Sequence, residues 1–226
     1  MAITTKSTFE ALGGLNEWES KHAPAELHMQ GDVGLLRRHP RVAVVGSRRA
    51  SEAGLRRTCD LVKVLVSKGI VVVSGLAEGI DTAAHRAAID AGGRTIAVLG
   101  TPLDKCFPAS NRLLQEQIAR DHLVVSQYAT GAPVHKGNFP VRNRTMALIA
   151  DATIIVEATE KSGTRHQGWE ALRMYRPLMI MSNVVRDESL TWPSEMIQYG
   201  ALELTRENLD AVLEDLPTAS AFADAT

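Results

Sequence analysis

Aromatic residues are scarce in this sequence: phenylalanine, tyrosine and tryptophan make up 4% of its 226 residues. A row of aromatic platforms on which successive nucleic-acid bases could stack is therefore not expected. Cysteine is scarcer still, because only Cys59 and Cys106 are present, far apart and without the spacing of zinc ligands. We expect two reduced thiols, and neither a metal site nor a disulfide framework.

Excess charge and long apolar runs are also missing. The formal net charge is -1, so the whole chain lacks a basic field that would attract nucleic acid, and any site for a polyanion must be a local patch. No run reaches the length of about 18 apolar residues that spans a bilayer, and the first residues lack the basic and apolar regions of a signal peptide. We therefore expect a cytoplasmic protein without a membrane partner.

Two nucleotide-binding motifs are absent as well. Residues 46–54, GSRRASEAG, lack the G-x-G-x-x-G pattern, and the second predicted strand ends in Ser74 and Gly75 where a ribose-binding acid would follow. The chain also contains no G-x-x-x-x-G-K-S/T phosphate loop. The sequence thus predicts no cofactor, and neither redox chemistry nor ATP hydrolysis.

What the sequence does contain is an alternation of short apolar runs with helix-period segments, the pattern of parallel strands joined by crossover helices. The runs are rich in valine and isoleucine and almost continuously apolar, as in strands covered on both faces. They occupy residues 41–46, 70–75, 95–100, 123–127, 152–158 and 178–183. This pattern predicts the α/β fold class, with a doubly wound, mostly parallel, Rossmann-like sheet of about six strands and helices on both faces.

We expect this domain to cover residues 41–204. Residues 1–40 are predicted as a helical lead-in, and residues 205–226 as a short acidic helix followed by a frayed tail. The clearest helix carries small residues at spacings of three and four, which form a stripe that can lie close to the sheet, and Gly92 and Gly93 follow its end. The stripe consists of Ile80, Ala83, Ala84, Ala87, Ala88 and Ala91.

Three of the predicted strands are followed by turns of small, hydrogen-bonding residues. Glycine permits close approach, and backbone N–H groups at such turns and at helix N-termini bind anions. Because the carboxyl ends of parallel strands share one edge of the sheet, the turns predict a groove for a phosphorylated ligand; purely structural turns are the alternative. The residues are Gly46, Ser47 and Arg48, then Ser74, Gly75 and Gly79, and finally Ser162 and Gly163.

Asp81 and His85 stand four residues apart on the helix after the second turn, so their side chains could meet. An acid/base site would require a nucleophile or metal beside them, and the sequence names none. We favour the interpretation that Asp81 caps the N–H groups at the start of its helix and holds a neighbouring basic side chain. The catalytic pair is the alternative.

The stretch GNFPVRNRTMALIAD, residues 137–151, places three polar side chains in the predicted first turn of a helix: Arg142, Asn143 and Arg144. Cations at a helix N-terminus oppose the helix dipole, at a cost of roughly 0.3–1 kcal/mol each, which a bound anion would offset. Groups able to form charge-assisted hydrogen bonds suit phosphate oxygens. The alternative is a set of internal salt bridges to Asp151, Glu157 or Asp81.

Five stretches of the sequence resemble, in order and spacing, those of the DNA-processing protein A family, DprA, also called Smf. They read VVGSRRASEAG, SGLAEGIDTAAHRAAI, GTPLDKCFPASNRLLQEQI, FPVRNRTMALIAD and IIVEATEKSG. The SGLAxGIDxxAH and FPxRNR blocks are the most specific of these signals. Weaker likeness extends the resemblance over residues 23–204.

The resemblance implies an extended Rossmann-like core that binds single-stranded DNA without sequence preference, forms a homodimer and hands the strand to the RecA recombinase during natural transformation. Carried onto this sequence, the DNA pocket would use the first two turns and the FPxRNR block. Binding through phosphates should weaken steeply with salt. The pocket residues would be Gly46, Ser47, Arg48, Ser74, Gly75, Gly79, Arg142, Asn143 and Arg144.

The sequence departs from the family pattern at several positions. Residues 164–167, TRHQ, follow the third turn where members usually have a mostly apolar helix start. Glu78 occupies a variable position that is often basic, and Gln127 stands where Glu is common. The chain leaves no room for the C-terminal winged-helix domain or the full N-terminal helical domain of many members, so we expect a minimal or divergent member.

A second function, from another class, uses the same groove: a nucleotide-ligand sensor or a nucleoside monophosphate N-glycosidase. Glu78 or Glu170 would supply the carboxylate, and Arg165 would hold the phosphate. The hydrolase pattern of paired glycines with G-T-x-x-E is not present, because Gly163 and Thr164 lack the preceding pair. Non-catalytic DNA binding is therefore our first hypothesis and the nucleotide ligand or enzyme our second.

Overall fold

The computed structural model describes residues 2–216. Within that range the chain forms nine strands and ten α-helices, with short 3-10 turns at Val33–Arg37 and Ala109–Asn111. The strands are β1 Thr4–Ser7, β2 Glu26–Gly31, β3 Arg41–Gly46, β4 Val71–Ser74, β5 Thr95–Leu99, β6 Leu123–Ser126, β7 Ala152–Glu157, β8 Leu178–Met181 and β9 Leu202–Leu204. The helices are α1 Thr8–Leu12, α2 Glu17–His22, α3 Glu52–Ser67, α4 Ile80–Asp90, α5 Arg112–Asp121, α6 Asn138–Ile149, α7 Thr164–Arg173, α8 Ser182–Val185, α9 Trp192–Gln198 and α10 Leu209–Glu214.

All nine of these strands belong to one sheet, in the order β1-β2-β6-β5-β4-β3-β7-β8-β9. The strands from β3 to β9 pair in parallel, and β2 joins the sheet antiparallel to β6. The chain winds from β3 outward to β6 and then returns through α6 to β7 on the other side of β3. This winding creates a switch point between β3 and β7, and it confirms the predicted fold class.

Alternate residues of the central strands pack into cores on opposite faces of the sheet. Val42 and Val44 of β3 belong to the core that α3 and α4 cover. Ala43 and Val45 belong to the core that α6, α7 and α9 cover. Burial on both faces is the reason that these strands read as continuous apolar runs.

The lead-in differs from the helical prediction, because it contributes two strands as well as α1 and α2. Strand β2 buries Leu27 and Met29 completely, and its intervening residues are more exposed. This alternation is the signal of a strand, but it is weak in the sequence because the segment is short. Helix α10 lies where the acidic helix was predicted, and the predicted frayed tail falls outside the described residues.

Helix α4 lies on the sheet through its small-residue stripe, as predicted. Gly92 follows the helix in the left-handed region, with φ of 73°. The N–H of Gly93 donates to the carbonyl oxygen of Ala88 at 2.8 Å, which ends the helix. Ala91 is exposed because it stands beyond the last helical residue, whereas the buried members of the stripe are Ile80, Ala84, Ala87 and Ala88.

Candidate functional site

The carboxyl ends of the parallel strands open onto a cleft of about 700 Å³. The turn after β3, the start of α6 and the turn that leads from β7 into α7 line this cleft. Because β3 and β7 flank the switch point of the sheet, the cleft lies where doubly wound folds bind ligands. Its volume falls within the range of about 300–1,000 Å³ that is typical of ligand pockets.

Positive charge is concentrated in this cleft. Its lining includes five arginine or lysine residues and one carboxyl residue, Asp81, although the whole chain has a formal net charge of -1. Four of the five are exposed, and none of these four forms a salt bridge within residues 2–216: Arg48, Arg49, Lys136 and Lys161. Of these four, only Arg48 was predicted from the sequence, because composition does not show which neighbours of a turn face a cleft.

Two phenylalanines meet in the lining of the cleft. The ring centroids of Phe107 and Phe139 are 5.2 Å apart, and the rings are tilted by 47°. The guanidinium carbon of Arg48 lies 5.6 Å from the centroid of the Phe139 ring, in a cation–π contact. Phe107 is 52% exposed, so its ring offers a surface on which a base can stack. The low aromatic content of the sequence could not show that these two rings would be brought together.

The turn after β4 already holds an anion, which the protein itself supplies. Oδ2 of Asp81 accepts hydrogen bonds from the N–H groups of Gly75 at 3.2 Å and Ala77 at 3.3 Å. The hydroxyl of Ser74 is buried and donates to the carbonyl oxygen of Val44 at 2.7 Å. Two N–H groups of this turn and its hydroxyl therefore have internal partners, which argues against the prediction that the turn cradles a phosphate.

Two of the predicted glycines are required for packing. Gly79 has φ of 74°, and a Cβ on it would collide with the backbone oxygen of Ser47. A Cβ on Gly46 would lie 2.5 Å from the Ile80 side chain, and the Ile80 N–H donates to the backbone oxygen of Ser47 at 3.1 Å. These contacts hold the start of α4 against the first turn. Ser47 is buried, whereas Arg48 is exposed and reaches the cleft.

The turn after β7 is more open than the other two. A Cβ built on Gly163 would have no atom within 4 Å, and Gly163 lines the cleft together with Ser162. The hydroxyl oxygen of Ser162 accepts a hydrogen bond from the N–H of Thr164 at 3.1 Å. Since the positive end of the α7 dipole lies here, an anion in the cleft can approach this turn closely.

Arg142 acts inside the protein. Its Nη1 donates to the carbonyl oxygens of Gly75 at 2.5 Å and Val98 at 2.7 Å, and its Nε donates to Oδ1 of Asn143 at 3.1 Å. The residue is only 5% exposed. A Cβ on Gly75 would collide with the guanidinium group, so this glycine makes room for an arginine rather than for a phosphate.

Arg142 and Asp81 carry opposite charges and are both buried. Burial lowers the pKa of Arg142, against the attraction of Asp81. Burial likewise raises the pKa of Asp81, against the attraction of Arg142 and the two N–H donors. Asp81 therefore has the basic neighbour that was expected, but it does not cap its own helix, because α4 has no side-chain cap.

Helix α6 begins at Asn138, so the three polar residues of the FPxRNR block lie in its second turn and not in its first. Asn143 lines the cleft, and its Nδ2 donates to the carbonyl oxygen of Gly163 at 3.3 Å. Arg144 lies outside the cleft lining, and its Nε donates to Oε2 of Glu170 at 2.8 Å. For Arg144 the internal salt bridge is therefore the correct interpretation, although its partner differs from the three acids proposed.

Glu170 is held between two arginines. Besides Arg144, Nη1 of Arg173 donates to Oε1 of Glu170 at 2.9 Å, and Glu170 is 7% exposed. Neither Glu170 nor Arg165 is part of the cleft lining. Glu78, the other candidate carboxylate of the N-glycosidase hypothesis, lines a smaller cavity whose lining does not include Arg165. Neither cavity therefore holds a candidate carboxylate together with the arginine that would bind the phosphate.

His85 hydrogen-bonds to Thr95 and not to Asp81. Nδ1 of His85 lies 2.7 Å from the Thr95 hydroxyl, which itself donates to the carbonyl oxygen of Val72 at 2.9 Å. Because a hydroxyl has one proton, His85 must donate from Nδ1. Burial lowers the pKa of His85 to about 3, so the ring is neutral near pH 7. His85 is a structural link between α4 and the sheet, and it is not half of an acid/base pair.

The residues that depart from the family pattern lie in three different parts of the structure. Gln127 accepts a hydrogen bond from the hydroxyl of Thr145 in α6. Glu78 is exposed and lines a smaller cavity beside the cleft. In the TRHQ segment, His166 is exposed in the cleft lining, and Gln167 is buried. The segment therefore contributes polar groups at the cleft.

The described residues offer neither a cluster of metal ligands nor a helix that could span a membrane. Residues 2–216 contain no group of three histidine, cysteine, aspartate or glutamate side chains placed to hold a metal ion. Among the helices of that range, none has both the length and the apolar character needed to cross a bilayer. Cys59 and Cys106 are both unpaired and half-buried.

Comparison with known proteins places these features in a family. The family model of DNA recombination-mediator protein A matches residues 11–217. The chain belongs to this family. DNA processing protein DprA from Streptococcus pneumoniae is 38% identical over 201 residues, which cover 88% of this chain and 71% of that protein. DprA from Bacillus subtilis is 32% identical over 194 residues, which cover 86% of this chain and 65% of that protein.

Solved structures agree with the DprA assignment. The X-ray structure of DprA from S. pneumoniae superposes with a TM-score of 0.82 at 35% identity and covers 96% of this chain and 75% of that one. A structure of DprA from Helicobacter pylori, reported for its single-stranded DNA binding mode, superposes with a TM-score of 0.80 at 28% identity. The match covers 96% of this chain and 98% of the H. pylori chain. These matches confirm the resemblance that the motifs indicated.

Proposed function

We propose that this DprA-family chain binds single-stranded DNA in the basic cleft and performs no chemistry on the strand. The observation that carries the proposal is the convergence of five cationic residues and an exposed phenylalanine on one cleft of a chain whose net charge is -1. Membership in a family of DNA recombination mediators and the DNA-binding mode described for the H. pylori relative support it.

Phosphate groups would be held mainly by exposed side chains. Arg48, Arg49, Lys136 and Lys161 can each approach a phosphate oxygen without losing an internal salt bridge. The open turn at Gly163 adds the N-terminal end of α7. The buried Arg142 would not bind the strand itself, and it instead holds the surrounding turns in place. Contacts with phosphates fix the position of a strand without reading its sequence.

The exposed ring of Phe107 supports binding of a single strand in preference to a duplex. A base that stacks on an exposed ring must leave its neighbours, which costs least in a single strand. Such stacking contributes about 1–3 kcal/mol per base and tolerates any base. Phosphate contacts and a ring face together allow the cleft to bind single strands of any sequence.

Fluorescence anisotropy of a labelled oligothymidine, titrated at several salt concentrations, tests the proposal. Arg48→Ala should weaken binding by about 1–3 kcal/mol, as expected for a lost charge-assisted hydrogen bond. It should also reduce the slope of log K against log salt by about 0.7. Arg38→Ala is the matched control, because Arg38 is exposed and precedes β3, at the opposite end of that strand from the cleft.

Unchanged affinity in Arg48→Ala, Arg49→Ala and Lys161→Ala, with folding intact by circular dichroism, would contradict the cleft as the binding site. Displacement of the oligonucleotide by low concentrations of one nucleoside monophosphate would instead favour the small-ligand hypothesis. Duplex DNA of the same length should compete poorly, because its bases are stacked and paired.

We also infer from family membership that the working unit is a homodimer that hands the bound strand to a RecA recombinase in the cytoplasm. Light scattering at several protein concentrations tests the first part. The second part is tested by RecA filament assembly on DNA coated with single-strand binding protein, which wild type should accelerate and Arg48→Ala should not. A monomer at all concentrations, or no acceleration, would contradict the respective part.

A further inference from the structure

We propose that the smaller cavity beside the cleft is a subsite for one base, and that Glu78 makes this subsite prefer cytosine over thymine. The inference rests on the proposed function, since it names a base of the strand that the cleft would bind. The inference concerns the base composition of the strand and not recognition of a particular sequence. The phosphate contacts would be the same for every strand, and one base would be selected in the cavity.

The cavity has a volume of about 100 Å³, well below the range of about 300–1,000 Å³ typical of whole ligands. It can therefore accept a single flat ring but not an entire nucleotide. Arg48, Phe107 and Phe139 line both the cavity and the large cleft. A strand whose phosphates lie in the cleft can thus place one base in the adjoining cavity.

Aromatic and cationic groups provide the attraction in this subsite. Phe107 is 52% exposed, and its ring meets that of Phe139 at a centroid distance of 5.2 Å. Arg48 lies 5.6 Å from the Phe139 centroid, so a cation stands beside the stacking surface. The phosphate and the base of one nucleotide can then be held together. Stacking alone would accept cytosine and thymine equally, because both have a π face.

Glu78 supplies the discrimination. It is exposed, it lines the cavity, and it has no hydrogen-bond or salt-bridge partner among residues 2–216. The other carboxylate near the turn, that of Asp81, is already bound to the N–H groups of Gly75 and Ala77. Glu78 is therefore the acceptor that is available to a base in this cavity.

An ionised carboxylate can only accept hydrogen bonds. Cytosine presents an amino group at N4, which donates, whereas thymine presents the O4 oxygen at the equivalent position, which accepts. A carboxylate that faces the position-4 group accepts a hydrogen bond from cytosine N4 and is repelled by thymine O4. The thymine N3–H is free to donate in a single strand, so the preference requires that Glu78 face position 4 and not N3. Glu78 would therefore reduce the general attraction of the cleft for phosphate while favouring strands that place cytosine in the cavity.

The test compares oligocytidine and oligothymidine strands of DNA of equal length by anisotropy, at a mildly alkaline pH where cytosine is unprotonated. Wild type should bind the cytosine strand about five- to tenfold more tightly, near the lower end of discrimination by one base-edge contact. In Glu78→Gln the ratio should fall to near one, because an amide can also donate to thymine O4. Glu188→Gln makes the same charge change at an exposed residue that lines neither cavity, and it should keep the wild-type ratio.

Two results would overturn the inference and leave the proposed function intact: equal binding of both strands by wild type, or a cytosine preference that Glu78→Gln retains. Glu78→Ala separates repulsion from hydrogen bonding, because it should abolish the preference while binding oligothymidine at least as tightly as wild type. Loss of oligothymidine affinity in that variant would also count against the subsite. Failure of wild type to bind either strand would contradict the proposed function itself.

Discussion

Replacement of His85 by asparagine should make the protein less sensitive to acid. In the native state, burial lowers the pKa of His85 to about 3, whereas an unfolded histidine has a pKa of about 6.5. Between these values the unfolded chain binds a proton that the native protein does not bind. The free energy of unfolding therefore falls as the pH falls from about 6.5 toward 3, and it recovers as the pH rises.

The size of this effect follows from the two pKa values. One pKa unit corresponds to about 1.36 kcal/mol, and pH 5 lies about 1.5 units below the unfolded pKa of histidine. His85 should thus reduce the free energy of unfolding by about 2 kcal/mol between pH 8 and pH 5. In His85→Asn the amide nitrogen can replace Nδ1 as the donor to Thr95, and the residue no longer titrates.

Urea unfolding of both proteins at the two pH values measures the effect. The variant can be less stable at pH 8 through altered packing, so the quantity compared is the change between the two pH values within each protein. Groups that do not interact electrostatically with His85 titrate alike in both proteins and cancel in this comparison. Equal losses in the two proteins would refute the reasoning and would indicate that native His85 can take up a proton, as an acid/base pair with Asp81 requires.

Three further predictions concern the cleft. Arg142→Met should lower the free energy of unfolding by roughly 3–5 kcal/mol, because it leaves the buried carboxylate of Asp81 without its opposite charge and two carbonyls without a donor. A loss below about 1 kcal/mol, measured by urea unfolding, would contradict this role of Arg142. Gly163→Ala should fold normally yet bind single strands several-fold more weakly than Gly137→Ala in anisotropy titrations. Gly137 is the control because it is equally open, at the start of α6, but lies outside the cleft lining. Equal affinities would exclude a phosphate against that turn. Phe107→Ala should weaken strand binding by about 1–3 kcal/mol. Phe9→Ala removes a ring that is 59% exposed elsewhere on the protein and should leave strand binding unchanged. Equal effects of the two variants would exclude Phe107 as a stacking surface.

The fold could be predicted from the sequence wherever burial on both faces of the sheet left a continuous apolar run. This condition holds for the six strands from β3 to β8, and their predicted positions agree with the structure to within two residues at either end. Strands β1 and β9 form the two edges of the sheet, β2 lies next to β1, and all three strands are short or half-exposed. Their pairing depends on neighbours that are distant in the chain, so local patterns indicate them weakly.

The location of the candidate site could also be inferred from the sequence, because parallel strands present their carboxyl ends, and the turns that follow them, at one edge. Its chemistry could not. A glycine that admits a phosphate and a glycine that admits an arginine look the same in a sequence, and only the structure shows that Gly75 accommodates Arg142. Similarly, the anion that the turn after β4 binds is Asp81, which lies a few residues further along the same chain.

Charge and aromatic content, which are sums over the whole sequence, indicated neither the basic cleft nor its stacking surface. The cleft gathers Arg49, Lys136 and Lys161 from three loops, and Phe107 meets Phe139 across two of the crossover connections. Hydrophobic periodicity acts locally and therefore determined the strands and helices. The juxtaposition of exposed side chains from different loops is set by how those elements pack, and only the tertiary structure decided it.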